Sequence, residues 1–237
     1  MAAFNKKPMI LGVFLALTFL GVFLLIFSPI YGKGMNGLDF ADDLFNKLSK
    51  GSSYFIPKLI EDNKKNEGKM FSVSIKTETP KESEQIVKLF TAAGCKVAPQ
   101  GDKITIEGDL GKTFGVILKD SDLMFQNKGQ EVASAYGFGE KEVMKTWWTA
   151  LSRMEKVFKK NLKIEEANKI SEISKKGIEP AYNFYQIEPQ RVSDRAGIMI
   201  SLLVFYVFYT MWWGYAIFYI FEGVGLTMKK AKVKKEV

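Results

Sequence analysis

The sequence predicts an α+β membrane protein in which two transmembrane helices flank an extracytoplasmic β-α-β-β domain, with an added long helix or helical hairpin. Three observations support this fold class. Two uncharged apolar runs lie near the ends of the chain, at residues 9–30 and 196–221. Residues 70–108 alternate apolar and polar positions on both sides of a helical stripe. Residues 140–176 contain no glycine or proline, which is typical of one long helix or of two helices in a hairpin.

The first apolar run is long enough to cross a bilayer. Its 22 residues span about 33 Å as a helix, against a hydrocarbon core of about 30 Å. A cleaved signal peptide is the alternative, since Lys6 and Lys7 precede the run. The run exceeds the usual apolar region of such a peptide, about 7–15 residues, and it ends without a cleavage site of the A-x-A type. We therefore predict a cytoplasmic tail at residues 1–8 and a transmembrane helix at residues 9–30.

The second apolar run is unusually aromatic. Its 26 residues are uncharged and span about 39 Å as a tilted helix. Ten aromatic residues fall between positions 205 and 221, and four of them are tyrosines, whose hydroxyls a lipid-facing helix does not need. Because one neighbouring helix covers only one face, we expect the run to dock against other membrane protein subunits. The alternative is ordinary packing against the first helix alone.

Small residues four positions apart mark where helices can approach closely. Together with nearby aromatic residues they define the predicted membrane interface. The candidate interface residues are Gly12, Ala16, Tyr206, Tyr209, Thr210, Trp213, Gly214 and Tyr215. A lipid or quinone bound beside this helix is an alternative that the pattern leaves open.

The charge distribution predicts the topology. The chain has 34 Lys and Arg against 26 Asp and Glu, and residues 31–195 hold 27 of the basic and 24 of the acidic side chains. Most of the remaining positive charge is a lysine cluster at positions 229–235, and cytoplasmic flanks are rich in lysine. We expect both termini in the cytoplasm and residues 31–195 in the periplasm of a bacterial inner membrane. The basic tail, residues 222–237, either binds anionic lipid or only holds the helix end in place, and we expect no nucleic-acid binding.

The region between the apolar runs divides into three predicted parts. Residues 31–69 form juxtamembrane amphipathic helices, residues 70–135 form the α+β domain, and residues 136–195 form a helical segment with an aromatic linker. In the first part, Asn36 is the expected cap of a helix that Gly51 ends.

The α+β domain has the clearest pattern. Phe71, Val73 and Ile75 alternate with polar residues as in a half-buried strand, and Thr79 opens a capping box before a helix. Two short strands follow. This order begins a ferredoxin-like or ACT-like sandwich, which a second right-handed crossover usually completes. We expect Asp109 to begin a helix over residues 109–125, with a strand at residues 113–118 as the alternative.

The helical segment carries three local predictions. A break at Asn161 would divide it into a hairpin, and Gly177 would end it. The stretch from residue 136 to residue 139 has the composition of a linker. The aromatic residues Tyr182, Phe184 and Tyr185, just before the second apolar run, have the character of an interfacial belt.

Composition excludes several chemistries. The chain has no histidine and a single cysteine, Cys95, which we expect to be buried. These counts exclude Ser-His-Asp or Cys-His nucleophiles, a histidine-ligated haem, a Cys/His zinc site and an internal disulfide. Asp120-Ser121-Asp122 has the spacing of a metal-binding pair but lacks the glycine and glutamate of a calcium loop, so we assign it to a turn.

We therefore predict no enzymatic activity and no cofactor or metal. The expected role is that of a non-catalytic accessory or scaffold subunit of a membrane complex, docking through the second transmembrane helix and presenting a partner-binding α+β domain. A membrane-anchored small-ligand-binding or sensor module is the alternative.

Overall fold

A computed structural model describes residues 4–32 and 34–226 of the chain. The helices are α1 (Lys6–Ile26), α2 (Gly37–Ser52), α3 (Ile56–Asn63), α4 (Pro80–Ala92), α5 (Leu110–Phe125), α6 (Gly129–Tyr136), α7 (Glu140–Lys160), α8 (Ile164–Ile173), α9 (Glu179–Asn183) and α10 (Val192–Gly223). The strands are β1 (Met70–Lys76), β2 (Lys96–Gln100) and β3 (Lys103–Asp109). The chain forms two compact units, one containing α1, the first part of α2 and α10, the other comprising residues 46–190. The lysine cluster at positions 229–235, expected to lie in the cytoplasm or on anionic lipid, falls outside the described residues.

The strands form an antiparallel sheet in the order β1-β3-β2. The predicted β-α-β-β order is confirmed, since α4 connects β1 to β2 and β3 lies between them. The ferredoxin- or ACT-like completion is not confirmed. The chain continues from β3 directly into α5, and the described residues contain no fourth strand beside β1.

Helix α4 begins at the predicted cap and covers one face of the sheet. The Glu82 backbone nitrogen donates to Thr79 Oγ1 at 3.1 Å, and the Glu82 carboxylate accepts from the Glu78 backbone nitrogen at 2.7 Å. Capping by a hydroxyl and a carboxylate in this pattern stabilises a first turn. The apolar stripe of α4 is buried, with Ile86 and Leu89 fully removed from solvent.

Residues 110–125 form helix α5 rather than the alternative strand. The Asp109 carboxylate accepts hydrogen bonds from the backbone nitrogens of Lys112, at 3.0 Å, and Gly68, at 2.8 Å. Desolvation raises the pKa of Asp109, but the hydrogen bonds from Lys112, Gly68 and Gly111 outweigh it and hold that pKa below its usual value. One carboxylate thus caps α5 and holds the turn that precedes β1.

The prediction that residues 120–122 form a turn is wrong, because α5 continues through them. Asp120 is buried, and its Oδ2 accepts from the Tyr136 hydroxyl at 2.6 Å and from Trp147 Nε1 at 2.9 Å. Burial raises the pKa of Asp120 more than the two hydrogen bonds lower it. Tyr136 and Phe138 pack against the core, so residues 136–139 are part of the packed unit and not a linker.

The glycine-free stretch is a hairpin of α7 and α8, with the break where Asn161 predicted it. Leu162 adopts a left-handed backbone conformation, with φ of 59°, and α8 packs back against α7. The predicted end at Gly177 is wrong. Helical backbone continues through a π-turn at residues 174–178 into α9, and Gly177 is buried against Leu118 and Leu59.

Hydrogen bonds tie the two ends of the second unit together. The Gln190 backbone nitrogen donates to the Lys47 carbonyl at 3.0 Å. The Lys50 amine donates to the Ile187 carbonyl at 2.7 Å and to Asn127 Oδ1 at 2.8 Å, and burial lowers the pKa of this amine despite the nearby Glu188.

The segment before residue 190 also joins the core. Phe184 packs edge-on against Phe125, with ring centroids 6.4 Å apart, and Tyr185 is partly buried beside it. These two side chains, expected in an interfacial belt, therefore complete the core of the second unit.

Candidate partner interface on the apolar helices

Helices α1 and α10 are both long and apolar enough to cross a membrane. They lie antiparallel, since the Asn5 backbone nitrogen donates to the Gly223 carbonyl at 2.9 Å while Phe19 stacks on Tyr209 further along. Most of their large apolar side chains are exposed. Contiguous apolar surface of this extent marks a protein or lipid contact.

Glycines bring the two helices into close contact. A Cβ on Gly12 would lie 2.6 Å from the Ile220 nitrogen and 3.0 Å from the Ala216 carbonyl oxygen, nearer than a side chain can approach. A Cβ on Gly223 would lie 2.7 Å from the Cα of Met9. Ala216 is fully buried at this contact. The pair therefore packs backbone to backbone at its Gly12 end, as small residues allow in apolar helices.

Aromatic rings fill the wider part of the α1–α10 contact. Phe19 stacks on Tyr209 with centroids 4.2 Å apart, and it lies 4.7 Å from the Trp213 ring. Trp212 Nε1 donates to the Leu15 carbonyl at 3.1 Å, a hydrogen bond between the helices. The Tyr209 hydroxyl is buried and has no hydrogen-bond partner among the described residues.

The eight predicted interface residues fall into two groups. The residues at or near the α1–α10 contact are Gly12, Ala16, Tyr209 and Trp213. The other four, Tyr206, Thr210, Gly214 and Tyr215, are exposed on α10 outside that contact. Gly12 and Gly214, which the sequence treats alike, thus have different surroundings.

The outward face is defined by Thr210 and Gly214. A Cβ on Gly214 would meet no atom within 4 Å. At about 100° per residue, Gly214 lies about 160° around the helix from the buried Ala216. The Thr210 hydroxyl donates to its own helix, to the Tyr206 carbonyl at 2.9 Å, so it is satisfied without a partner.

Phe19, Trp212 and Gly223 are among the contact residues that sequence reasoning missed. A hydrogen bond from an indole to a main-chain carbonyl has no sequence signature. Gly223, however, lies seven residues after Ala216 and four after Tyr219. Two small residues at a heptad spacing can mark a close helix contact, so the sequence did carry a signal for Gly223.

The second unit carries one apolar cleft of note. It has a volume of about 320 Å³ and is lined by residues of α7 and of the segment 178–183, including the buried Met144 and Ile178 and the exposed Trp148 and Tyr182. Trp148 Nε1 donates to a Glu179 carboxylate oxygen at 3.0 Å on the rim. Within residues 4–32 and 34–226, no cluster of three or more His, Cys, Asp or Glu side chains is arranged to hold a metal ion.

Comparison with known proteins identifies no relative. The chain matches no protein-family profile, no curated protein and no solved structure.

Proposed function

We propose that the chain is a membrane-anchored, non-catalytic accessory subunit. Its α1–α10 pair docks against a helix of another membrane protein, and its second unit binds a partner outside the cytoplasm. The observation that carries this proposal is the Thr210–Gly214 face, which points away from α1 and is open.

Glycine in the middle of a lipid-facing helix has no evident use. It is less favourable than alanine by about 1 kcal/mol in a helix interior and removes packing surface. Its value in apolar helices is to let a second backbone approach, as Gly12 does for Ala216 and Ile220. Gly214 has no such neighbour in its own chain and, unlike the equally open Gly197 near the start of α10, it lies well inside the helix, so a helix of a different protein is the occupant we propose.

Two exposed tyrosines on either side of the Gly214 face support the same conclusion, since Tyr206 and Tyr215 lie about 80° and about 100° from Gly214 in opposite directions around α10. Tyr206 and Tyr215 are 65% and 52% exposed. A hydroxyl facing hydrocarbon without a partner is costly, whereas it can bond across a helix interface. Each such bond contributes only about 0.6 kcal/mol on average, so we assign recognition to backbone contact at Gly214 and a lesser role to the hydroxyls.

The discriminating variant is Gly214→Leu, with Gly197→Leu as its matched control. Both glycines lie in α10 with open space around them, but Gly197 lies about 100° around the helix from Gly214. We expect Gly214→Leu to insert normally and to lose its co-purifying membrane proteins, because the leucine holds the partner helix away. We expect Gly197→Leu to keep them.

The measurement is recovery of co-purifying proteins by mass spectrometry after gentle extraction, with insertion checked by membrane fractionation. A polyleucine replacement of residues 196–221 completes the series. If that version retains every partner of the wild type, α10 is only an anchor and the proposed docking through α10 is wrong.

The alternative, a membrane-anchored small-ligand-binding or sensor module, has one observation in its favour. The cleft between Trp148 and Tyr182 is apolar and large enough for a small aromatic or aliphatic group. Its polar lining residues are Lys145, Glu179 and Asn183, and a Glu179 carboxylate oxygen already accepts from Trp148. Docking remains the function that the geometry supports best.

A further inference from the structure

The two edges of the sheet differ in a way that hydrogen-bond direction reveals. The Lys69 carbonyl accepts from the Leu110 nitrogen at 2.9 Å, and the Thr77 nitrogen donates to the Asp102 carbonyl at 2.8 Å. In an antiparallel pair the bonding groups alternate, so the odd-numbered residues of β1 bond to β3. The N–H and C=O groups of residues 70, 72, 74 and 76 therefore point away from the sheet.

The β2 edge is closed to further strands. The same alternation directs residues 96, 98 and 100 of β2 toward β3, where they pair with residues 107, 105 and 103. The outward-pointing backbone groups of β2 then belong to Val97 and Pro99. Because proline has no N–H, it interrupts any new hydrogen-bond ladder on this side, a common protection of edge strands.

The β1 edge has no proline, although α7 packs against this strand and its Arg153 side chain reaches the Lys76 end. Residues 70–75 contain no charge and no proline. Met70 is 73% exposed, and Ser72 and Ser74 are exposed as well. The β1–β3 register and its alternation leave the N–H groups of these three residues out of the ladder to β3, and no backbone bond outside the strands uses them among the described residues. At the end of the edge, the Lys76 carbonyl accepts from the Arg153 guanidinium.

We propose that β1 pairs with β1 of a second copy of this chain, antiparallel and centred on Val73. In this register the outward-pointing groups of Ser72 lie opposite those of Ser74 of the second copy. Met70 lies opposite Lys76, whose carbonyl already accepts from Arg153, so the pairing depends on the Ser72 and Ser74 positions. No two like charges face each other, which would destabilise a strand pair. Residues 70–75 are uncharged, so this part of the strand can pair with itself and offers no charge with which to select a different partner.

The pairing leaves no open β1 edge on either copy, so it produces a closed dimer and not a fibre. The combined sheet has six strands in the order β2-β3-β1-β1-β3-β2, with the proline-bearing edge at both ends. Both open edges are consumed in one two-fold contact, so the assembly is closed. This inference goes beyond the docking role and uses a surface distant in sequence from α10.

The test compares Ser74→Pro with Ser74→Ala in the full chain, purified in detergent. Proline removes one outward N–H from each copy without touching a bond to β3, so the monomer fold should persist. We expect the dimer dissociation constant to rise about tenfold or more for Ser74→Pro, as the loss of two backbone hydrogen bonds implies, and to stay unchanged for Ser74→Ala. Sedimentation measures the association, and circular dichroism checks that each variant is folded.

Cross-linking tests the strand contact itself. Chains carrying Ser72→Cys and chains carrying Ser74→Cys are mixed and treated with a short bismaleimide, and the native Cys95 is buried, 7% exposed. The mixture should cross-link more than either variant alone. The proposal is overturned by a monomeric wild type, by dimers that survive Ser74→Pro, by equal cross-linking in the unmixed chains, or by capture of other proteins in place of the second copy.

Discussion

Single polar side chains hold distant parts of the second unit together. Asp120 joins α5 to α7 and to the end of α6, through the Trp147 indole and the Tyr136 hydroxyl. Lys50 similarly bonds to Ile187, 137 residues later in the chain. A buried polar group without a partner is costly, so each of these contacts specifies one arrangement of the elements it joins.

Asp109 provides a test at this scale. Its carboxylate caps α5, and removal of such a cap costs about 0.5–2 kcal/mol, so Asp109→Ala should lower the free energy of unfolding by that amount at pH 7. The pKa of Asp109 is held below its usual value in the folded state. Its stabilisation is therefore fully present above the unfolded pKa, about 4, and is lost as pH falls through the lower folded pKa.

Chemical unfolding of the full chain in detergent, between pH 7 and pH 2.5, measures this effect. The difference between wild type and Asp109→Ala should be constant down to about pH 5 and should then shrink. Asp109→Asn is the control, because it keeps the cap but does not titrate, so its difference from Asp109→Ala should not vary with pH. A wild-type difference that grows on acidification would contradict the assigned role.

Among the elements, the α1–α10 pair shows that two residues of the same type, in similar sequence patterns, can have different packing. Gly12 and Gly214 are both glycines in small-xxx-small spacings, yet only Gly12 lies at a helix contact within the chain. Aromatic stacking of Phe19 on Tyr209 fills the contact where no small residues are available. The two helices are therefore in backbone contact near Gly12 and in contact through aromatic rings near Phe19.

Gly12→Leu should separate the two helices, while Gly21→Leu should not. A side chain at Gly12 collides with the backbone of α10, whereas a Cβ on Gly21 meets no atom within 4 Å. One cysteine replaces Asn5, whose backbone nitrogen donates to the Gly223 carbonyl, and the other replaces Val224, next to Gly223. Bismaleimide cross-linking between them reports whether α1 and α10 remain in contact. Efficient cross-linking in the Gly12→Leu background would show that the close approach is not required.

For the whole molecule, the topology is the prediction with the widest consequences. Two spans place both termini on one side, and the lysine cluster at positions 229–235 favours the cytoplasm. A reporter fused at Val237 should therefore give a cytoplasmic signal, and one inserted at Gly101 a periplasmic signal. Gly101 lies in the exposed turn between β2 and β3, so the insertion should be tolerated.

A second insertion at Gly68, in an exposed turn of the same unit, serves as the control and should agree with the one at Gly101. Cytoplasmic signal at both positions would invert the orientation. Disagreement between them would place a membrane crossing within the second unit, where neither apolar helix lies.

Local patterns predicted most of the elements. Strict alternation predicted β1, a capping box predicted the start of α4, and the Asp109 cap predicted α5. These predictions succeeded because each depends on interactions within one turn or one strand. The errors at residues 120–122 and at Gly177 have the opposite cause, since burial by other elements keeps both segments helical.

By itself, the sequence determined the two apolar helices, the β-α-β-β order, the helical hairpin and the absence of histidine chemistry. Uncharged length, residue periodicity and composition are local properties, and they do not depend on which segments meet. Only the tertiary structure decided that Gly12 packs against α10 while Gly214 contacts no other described element. It also decided that the buried Asp120 accepts hydrogen bonds from Tyr136 and Trp147, and that β1 lies at an edge of the sheet. Each of these depends on contacts between residues far apart in the chain, and spacing along one element cannot say which face its neighbours will cover.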